Sequence, residues 1–474
     1  MKTTTKCSSK GLFVWAIVCS AMLAPVATAQ SAADIEALQK QINELSKQLE
    51  ALKKQQATTE AAAKVSAQSV ATVEKEEALG NDFRVHWKEG LRLDSNNGDY
   101  KLKIGGRLQN DFGWFSEGDD IKAAGFDSQD GTEFRRSRMY IGGTIYENLE
   151  FKSQFDYSGN DAEFRDVYVA IKNVPKIGKI KIGHYKEPFG LENYTSNNNH
   201  VFMDSSFINA FSPGYNIGVS VNNTLFNDRV AYTLGVFKET TSSNEKAVGD
   251  SAGNNFTGRI TGLPVWAEGE KYIHLGLTAS HKDLEGREYA PKIRVGAHLT
   301  EKLVGLVDTP PSNNAEIEAD SVDLLGLEAV FVRGAFHTEA EYQSASIDGE
   351  SGFADADFDA YYVQAGYFLT GEHKGYKVES GKFDRVRPNK TFSLRENKGM
   401  GAWELVGRYS SLDLEDNGYQ GGTLQDYSIG VNWYLNPNMR IMLNYVHGEL
   451  EDGILGDGED DDLDYIMARF QVTW

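Results

Sequence analysis

The feature that most constrains the fold is a period-two alternation of apolar and charged residues that recurs from about residue 84 to the end of the sequence. In "KLKIGGRLQNDFGW" one parity carries Leu102, Ile104, Gly106, Leu108 and Phe112, and the other Lys101, Lys103, Arg107, Gln109 and Asp111. "LEFKSQFDYS" sets Leu149, Phe151, Phe155 and Tyr157 against Glu150, Lys152, Gln154 and Asp156. The final segment sets Ile466, Ala468, Phe470, Val472 and Trp474 against Met467, Arg469, Gln471 and Thr473. Successive side chains of a strand point to opposite faces, so each segment reads as a strand with one apolar face. A soluble sandwich would alternate as well. A membrane barrel is favoured because the polar parity gathers Arg, Lys, Asp and Glu, as a wet lumen does. Aromatics also recur near strand ends (Trp114, Phe115, Tyr157, Trp433, Tyr434), where interfacial girdles sit. The 47 glycines, 22 tyrosines and 24 phenylalanines suit strands and turns better than a helical core.

A route to a membrane is written at the N-terminus. Lys2, Lys6 and Lys10 precede "GLFVWAIVCSAMLAP", and the small residues Ala27 to Ala29 offer a cleavage site, so residues 1–29 read as a secretory signal peptide. Both cysteines, Cys7 and Cys19, fall in this segment, which leaves no thiolate metal site or disulfide beyond it. Losing three lysines and no acids takes the formal charge from −21 to −24. That balance argues against a nucleic-acid partner, whose phosphates need a basic face. No later stretch approaches the roughly 18 apolar residues of a spanning helix. A secreted chain then enters a membrane only as a closed barrel, which satisfies every backbone group between strands.

Residues 31–56 space Ile35, Leu38, Ile42, Leu45, Leu49 and Leu52 by threes and fours, a short heptad pattern that reads as a coiled coil. Residues 57–80 read as a helical or flexible spacer. The expected domains are the signal peptide 1–29, a periplasmic coiled coil and spacer 30–80, and a barrel 81–474. Tight turns fall at Glu147-Asn148, "NVPK" (173–176), Arg333-Gly334 and "NPN" (436–438). Long links fall at 116–131, 187–214, 240–254, 284–320, 344–355, 411–422 and 448–462. Short periplasmic turns and long outer loops then alternate. With "PKIRVGAHLT" (291–300) assigned to a loop, the fold is all-β, a 16-stranded antiparallel transmembrane β-barrel preceded by the short helical coiled coil. One periplasmic connection, 371–400, is long and strongly basic.

No catalytic motif is present, neither a nucleophile elbow, a zincin helix nor a phosphate loop, so the chain does not read as an enzyme. The histidines lack metal spacing and no cofactor is expected. The nine acids of "ELEDGILGDGEDDDLD" miss the Ca²⁺-loop pattern and read as a solvated outer loop among surface lipids. The basic residues say more. In "TEFRRSRMYIGG", Met139 and Ile141 mark the lipid parity, which turns Arg136, Arg138 and Tyr140 to the lumen. Arg107 shares the lumen parity on the preceding strand. Arg135 has the outward parity but stands at the upper end, where the chain can turn it inward. An arginine at mid-bilayer on the lipid face costs roughly 2–4 kcal/mol. A cluster around a pore is therefore the cheaper arrangement, and the guanidinium fork suits phosphate oxygens. The bland alternative is arginine paired with lumen acids for electrostatic order.

Several stretches resemble the phosphate-selective porin O and P family. They are "KIGGRLQNDFGWF", "FRRSRMYIGGTIY", "KIGHYKEPFGLE", "HLGLTASHKDLE", "GYKVESGKFDRVRP", "GAWELVGRYSSLDLED" and "GVNWYLNPNMRIMLNYV", in order over about residues 99–474. The resemblance implies a homotrimeric outer-membrane porin of a Gram-negative bacterium, with inward-folded loops, passing phosphate or polyphosphate by diffusion. It places constriction arginines on Arg107, Arg135 and Arg136, and a periplasmic basic pair on Lys377 and Arg387. An arginine-bearing upper loop is sparser here, with Arg287, Lys292 and Arg294. Glu150 and Asn193 stand where the resembled phosphate channel carries lysines, and Arg165 where it carries an aspartate that orients the arginines. The expected anion path is thus Arg107, Arg135, Arg136, Arg138, Arg165 and Arg294, with Lys377 and Arg387 as a funnel. Its partners are small anions and membrane lipid. The alternatives are a general or cation-tolerant porin, supported by the lumen acids Asp111, Glu150 and Asp156, or a structural tether using its coiled coil.

Overall fold

A computed structural model describes residues 32–126, 128–159, 161–240, 253–291, 293, 298–299, 317–395, 399–456 and 458–474. The expected signal peptide lies outside them. Two compact units divide between Ala78 and Leu79. The first is built on a single 50-residue helix, Ala32–Asn81. The stretch expected as a spacer continues it unbroken, because residues 57–79 contain no Gly or Pro and are rich in Ala, Glu, Lys and Gln. Leu38, Ile42, Leu45, Leu49 and Leu52 are all more than half exposed along it.

The second unit is a closed sheet of sixteen antiparallel strands with a two-stranded hairpin attached. In chain order the strands are β1 (Tyr100–Glu117), β2 (Gly131–Ile145), β3 (Leu149–Asp156) and β4 (Glu163–Val174). They continue with β5 (Gly178–Lys186), β6 (Tyr215–Leu225), β7 (Val230–Lys238) and β8 (Asn254–Ala267). Next come β9 (Lys271–Tyr289), β10 (Ile317–Arg333), β11 (Phe336–Gly349) and β12 (Ala356–Phe368). The last are β13 (Ala402–Asp416), β14 (Tyr419–Asn436), β15 (Met439–Glu451) and β16 (Asp460–Thr473). Each pairs with its chain neighbour, and β16 closes on β1 from Leu463↔Glu117 to Thr473↔Arg107. Where β16 stops, the hairpin strand Leu91–Ser95 takes over the lower edge of β1 (Leu91↔Ile104). Trp474 sits at that junction, its N–H donating to Gly106 O (3.0 Å). A Cβ on Gly106 would lie 2.6 Å from the Trp474 ring and 2.5 Å from the Arg138 carbonyl oxygen, so the close approach requires glycine.

The connections depart from expectation at two outer links: β11 runs on to Gly349, which leaves only residues 350–355 of the link expected at 344–355, and the second departure is larger. Residues 411–422 are not a long outer link. β13 runs to Asp416 and β14 starts at Tyr419, joined by Asn417 (φ 49°) and Gly418 (φ 90°). Two consecutive positive-φ residues make the tight hairpin turn that strand twist favours. The described part of 291–300 lies outside any strand, between β9 and β10, as a count of sixteen requires.

Ile141, Leu234, Leu277, Leu327, Val363, Ile429 and Leu443 form an exposed apolar belt on the outward parity. Of the aromatics expected in girdles, Trp114 and Tyr157 face out, and Trp433 stacks on Trp403 at 5.0 Å on the outer surface. Phe115 and Tyr434 do not. Each follows an outward aromatic, so the period of two turns it inward, Phe115 onto Tyr465 and Tyr434 onto Glu404.

The interior is not an open tube. The β5–β6 connection, 187–214, folds inward and buries Phe189, Met203, Phe207, Ile208 and Phe211 against Val322, Leu324, Phe358, Tyr362, Leu412 and Tyr465 of β10 to β16. The inward parity of those strands is therefore apolar in their outer half, while the outward parity there carries charged residues such as Glu318, Asp323, Asp348 and Asp357. Each buried aromatic or Met stabilises the plug by roughly 1.5–3 kcal/mol. Polar anchors fix its position. Glu341 accepts the Leu191 and Glu192 backbone N–H groups (2.6 and 2.7 Å), and Arg440 and Arg469 donate to the carbonyls of His200 and Met203 (2.6 and 2.5 Å). From the periplasmic side the β12–β13 connection, 369–401, also turns inward. Arg259, held by Glu328, donates to Gly381 O at 2.7 Å, and Asn199 of the outer loop donates to Phe383 O at 3.2 Å. The two inserted loops meet inside the barrel.

Candidate functional site: a basic path along one wall

With the plug packed on β10 to β16, the space left inside lies against the opposite wall. An outer chamber of about 400 Å³ is lined by Arg135, Arg136, Arg138, Arg165 and Lys186, with Asp204 its one carboxylate among the described residues. A periplasmic-side chamber of about 420 Å³ is lined by Lys103, Arg107, Lys152, Lys181, Lys377 and Lys382, with Asp166 its one described carboxylate. Lys186, Asn197 and Tyr215 line both chambers and mark the neck between them. Cations outnumber acids several-fold along the whole path, so the local potential is positive although the chain is strongly acidic.

A β-bulge builds the outer cluster. On β2, Gln109 opposes Arg136 but the next residue of β1, Asn110, opposes Phe134, so Arg135 is the extra residue. The bulge re-aims Arg135 inward beside Arg136 and returns Phe134 to the outer face, where it is exposed. The outward parity expected for Arg135 is thus corrected by the bulge, not by fraying at the strand end. Arg138 donates to Asp156 (2.6 Å), which also meets Arg165 (3.6 Å), and Arg165 pairs with Glu163 (2.5 Å). Arg135 approaches Asp204 at 3.9 Å. Arg136 donates to the neutral Gln109 (2.9 Å) and has no described carboxylate in ion-pair range. Guanidinium nitrogens of Arg107, Arg135, Arg136 and Arg165 are buried without a hydrogen-bond partner. Buried unpaired donors are costly, so four of them on one path point to an acceptor that arrives from outside.

The loop groups are tuned to the same field. Burial opposes the charge on Asp204, but Arg469, Arg135 and Arg136 together hold its carboxyl below the ordinary value. Burial, with Lys186 and Arg136 nearby, pushes His200 well below its usual value and keeps it neutral.

The lumen acids that support a cation-tolerant pore are each engaged. Asp111 takes both arms of Arg469 (2.6 and 2.5 Å), Asp156 takes Arg138, and Glu150 takes Lys179 (2.6 Å). Of the expected residues, Arg107, Arg135, Arg136, Arg138, Arg165 and Lys377 come together on the path. Arg387 lines neither chamber. It pairs with Glu89 of the hairpin turn (2.8 Å) and approaches Asp384 (3.6 Å). Arg294 lies outside the described residues. Lys103, Lys152, Lys181, Lys186 and Lys382 were not singled out from sequence, although Lys103 and Lys152 share the lumen parity of Arg107. Among the described residues a possible metal-ligand group, His447, Asp462 and Asp464 within 4.8 Å, lies near the outer ends of β15 and β16. There His447 Nδ1 already contacts Asp464 at 3.0 Å.

The chain is similar to several known proteins. Porin O of Pseudomonas aeruginosa is 29% identical over 431 residues, covering 83% of this chain and 93% of its own. An uncharacterised protein of Caulobacter vibrioides is 27% identical over 447 residues, 89% of this chain and 85% of that one. The solved outer membrane channel DcaP of Acinetobacter baumannii superposes with a TM-score of 0.48 at 13% identity, over 80% of this chain and 99% of that one. The model of the family described as phosphate-selective porin O and P matches residues 102–474, and the chain belongs to that family of outer-membrane porins.

Proposed function

We propose that this porin passes phosphate-like anions by passive diffusion through the two basic chambers, with Arg107, Arg135, Arg136, Arg138 and Arg165 as its constriction. The observation that carries the reading is the excess of cations over described carboxylates on a path whose guanidinium groups keep unpaired donors. Arginine presents a planar fork that meets two oxygens of a phosphate at once. Several modest basic steps suit conduction better than one tight site, because an anion must leave as readily as it enters. The family's description as phosphate-selective agrees with this chemistry. The pairing of Asp111, Asp156 and Glu150 with basic partners weighs against a cation-tolerant pore. Within the same reading the protein is a homotrimer in the outer membrane, and its exposed heptad helix is a periplasmic coiled coil. The test is reconstitution in a planar lipid bilayer and titration of phosphate against a chloride current. Phosphate at concentrations far below chloride reduces the current if the reading holds. A chloride current indifferent to phosphate contradicts it.

A further inference from the structure

Four lysines of the path share a feature that its arginines mostly lack. Lys103, Lys181, Lys186 and Lys382 have no described carboxylate in ion-pair range, yet each ammonium sits over a tyrosine ring. Lys103 lies 5.3 Å from the centre of Tyr140, Lys181 4.0 Å from Tyr185, Lys186 5.7 Å from Tyr215 and Lys382 4.1 Å from Tyr194. Three of these rings also hold a second cation. Tyr140 faces Lys152 (5.3 Å), Tyr194 faces Arg259 (5.4 Å) and Tyr215 faces Arg165 (5.5 Å). The second cation has its own carboxylate in each case, Lys152 with Asp166 (2.5 Å), Arg259 with Glu328 (2.7 Å) and Arg165 with Glu163 (2.5 Å), so the lysine is the member of each pair that depends on the ring. A tyrosine face is electron-rich and attracts a cation, most strongly where water is excluded. A carboxylate would hold a lysine more firmly, but it would cancel the charge that meets the anion.

We propose that Tyr140, Tyr194 and Tyr215 are positioning residues that stand in for counter-carboxylates to Lys103, Lys382 and Lys186, fixing each ammonium on the path while leaving its charge free for the passing anion. The inference rests on the anion-porin reading above and deepens it. Tyr194 belongs to the outer loop and Lys382 to the periplasmic connection, so that ring also fixes a cation where the two inserted loops meet. Neither Tyr194 nor Tyr140 has a hydrogen-bonded hydroxyl among the described contacts, so the ring face is the part that acts.

The test compares Tyr194→Phe, which keeps the face, with Tyr194→Leu, which keeps much of the bulk without it. Single-channel recording reads the phosphate concentration that halves the chloride current. Tyr194→Phe stays within about twofold of the parent, and Tyr194→Leu needs roughly three- to tenfold more phosphate. Tyr140→Leu repeats the measurement on a wall strand should the loop variant not fold, and heat-modifiable migration on gels reports folding. Leu variants with the parent's phosphate sensitivity would overturn the proposal, as would a Phe variant that loses as much as Leu. A parent channel that is itself insensitive to phosphate overturns the functional reading instead, which separates the two failures.

Discussion

The Arg136 guanidinium donates from Nη1 to the side-chain oxygen of Gln109 at 2.9 Å, a neutral partner at a place where Arg138 has Asp156. Gln109 passes its own amide N–H to Gln471 (2.7 Å), which also accepts from Arg440 (3.0 Å). The relay holds Arg136 in place with no described carboxylate in ion-pair range. Gln109→Glu keeps the shape and supplies a counter-charge. A charge-assisted bond contributes roughly 1.5–3 kcal/mol, so phosphate sensitivity of the chloride current falls by about tenfold or more. Arg138→Gln has a smaller effect, because Asp156 already engages that arginine.

Arg469 ties the wall to the plug through Asp111 and the Met203 carbonyl. Arg469→Met leaves Asp111 buried and unpaired, at a cost of roughly 3–5 kcal/mol, and releases the loop. Thermal unfolding in detergent shows a lowered midpoint, and single channels show a larger, noisier conductance. Arg469→Met combined with Asp111→Leu recovers the midpoint but not the small conductance, since the carbonyl anchor is still missing.

Much of this was legible from alternation alone. Parity assigned Arg107, Arg136 and Arg138 to the lumen, and the alternation of tight and long connections gave sixteen strands. Arg135 was out of reach of parity because a bulge adds a residue, and nothing local in "FRRSR" fixes which residue opposes Gln109. Aromatic content near a strand end does not by itself place Phe115 and Tyr434, because parity turns each inward behind an outward tryptophan. The plug was illegible for another reason. The packing of Phe189, Phe207 and Phe211 on Val322 and Leu412 joins segments more than a hundred residues apart, and no periodicity reports it. Three of the four lysine–tyrosine pairs are likewise made across strands and loops, so neither partner stands out in its own segment; Lys181 and Tyr185 share one strand.

Glu89, in the hairpin turn below the barrel, pairs with Arg387 at 2.8 Å and Arg385 at 3.7 Å. Burial raises its pKa, but the two arginines outweigh burial and hold it below the ordinary 4.5. A depressed folded value means the clamp contributes fully above about pH 4.5 and is lost as pH falls through the lower folded value. Limited proteolysis of the 369–401 connection is therefore slow at neutral pH and speeds up under acid. In Glu89→Gln it is fast at both, and an unchanged acid response in that variant contradicts the clamp.

Every residue assigned to the path lies in the second compact unit, Leu79–Trp474. Deleting residues 32–81 from the exported chain leaves single-channel conductance and phosphate sensitivity unchanged. Native electrophoresis of the same variant reads whether the exposed heptad contributes to assembly. Loss of phosphate sensitivity on this deletion would place part of the path in the helix.

The zero-current potential across a bilayer holding this channel in a KCl gradient tests the central claim most directly. A basic path lets chloride carry most of the current, so the potential takes the sign of anion selectivity, and Arg136→Gln and Arg107→Gln move it towards zero. A potential of the opposite sign, with potassium as the main carrier, would contradict the account.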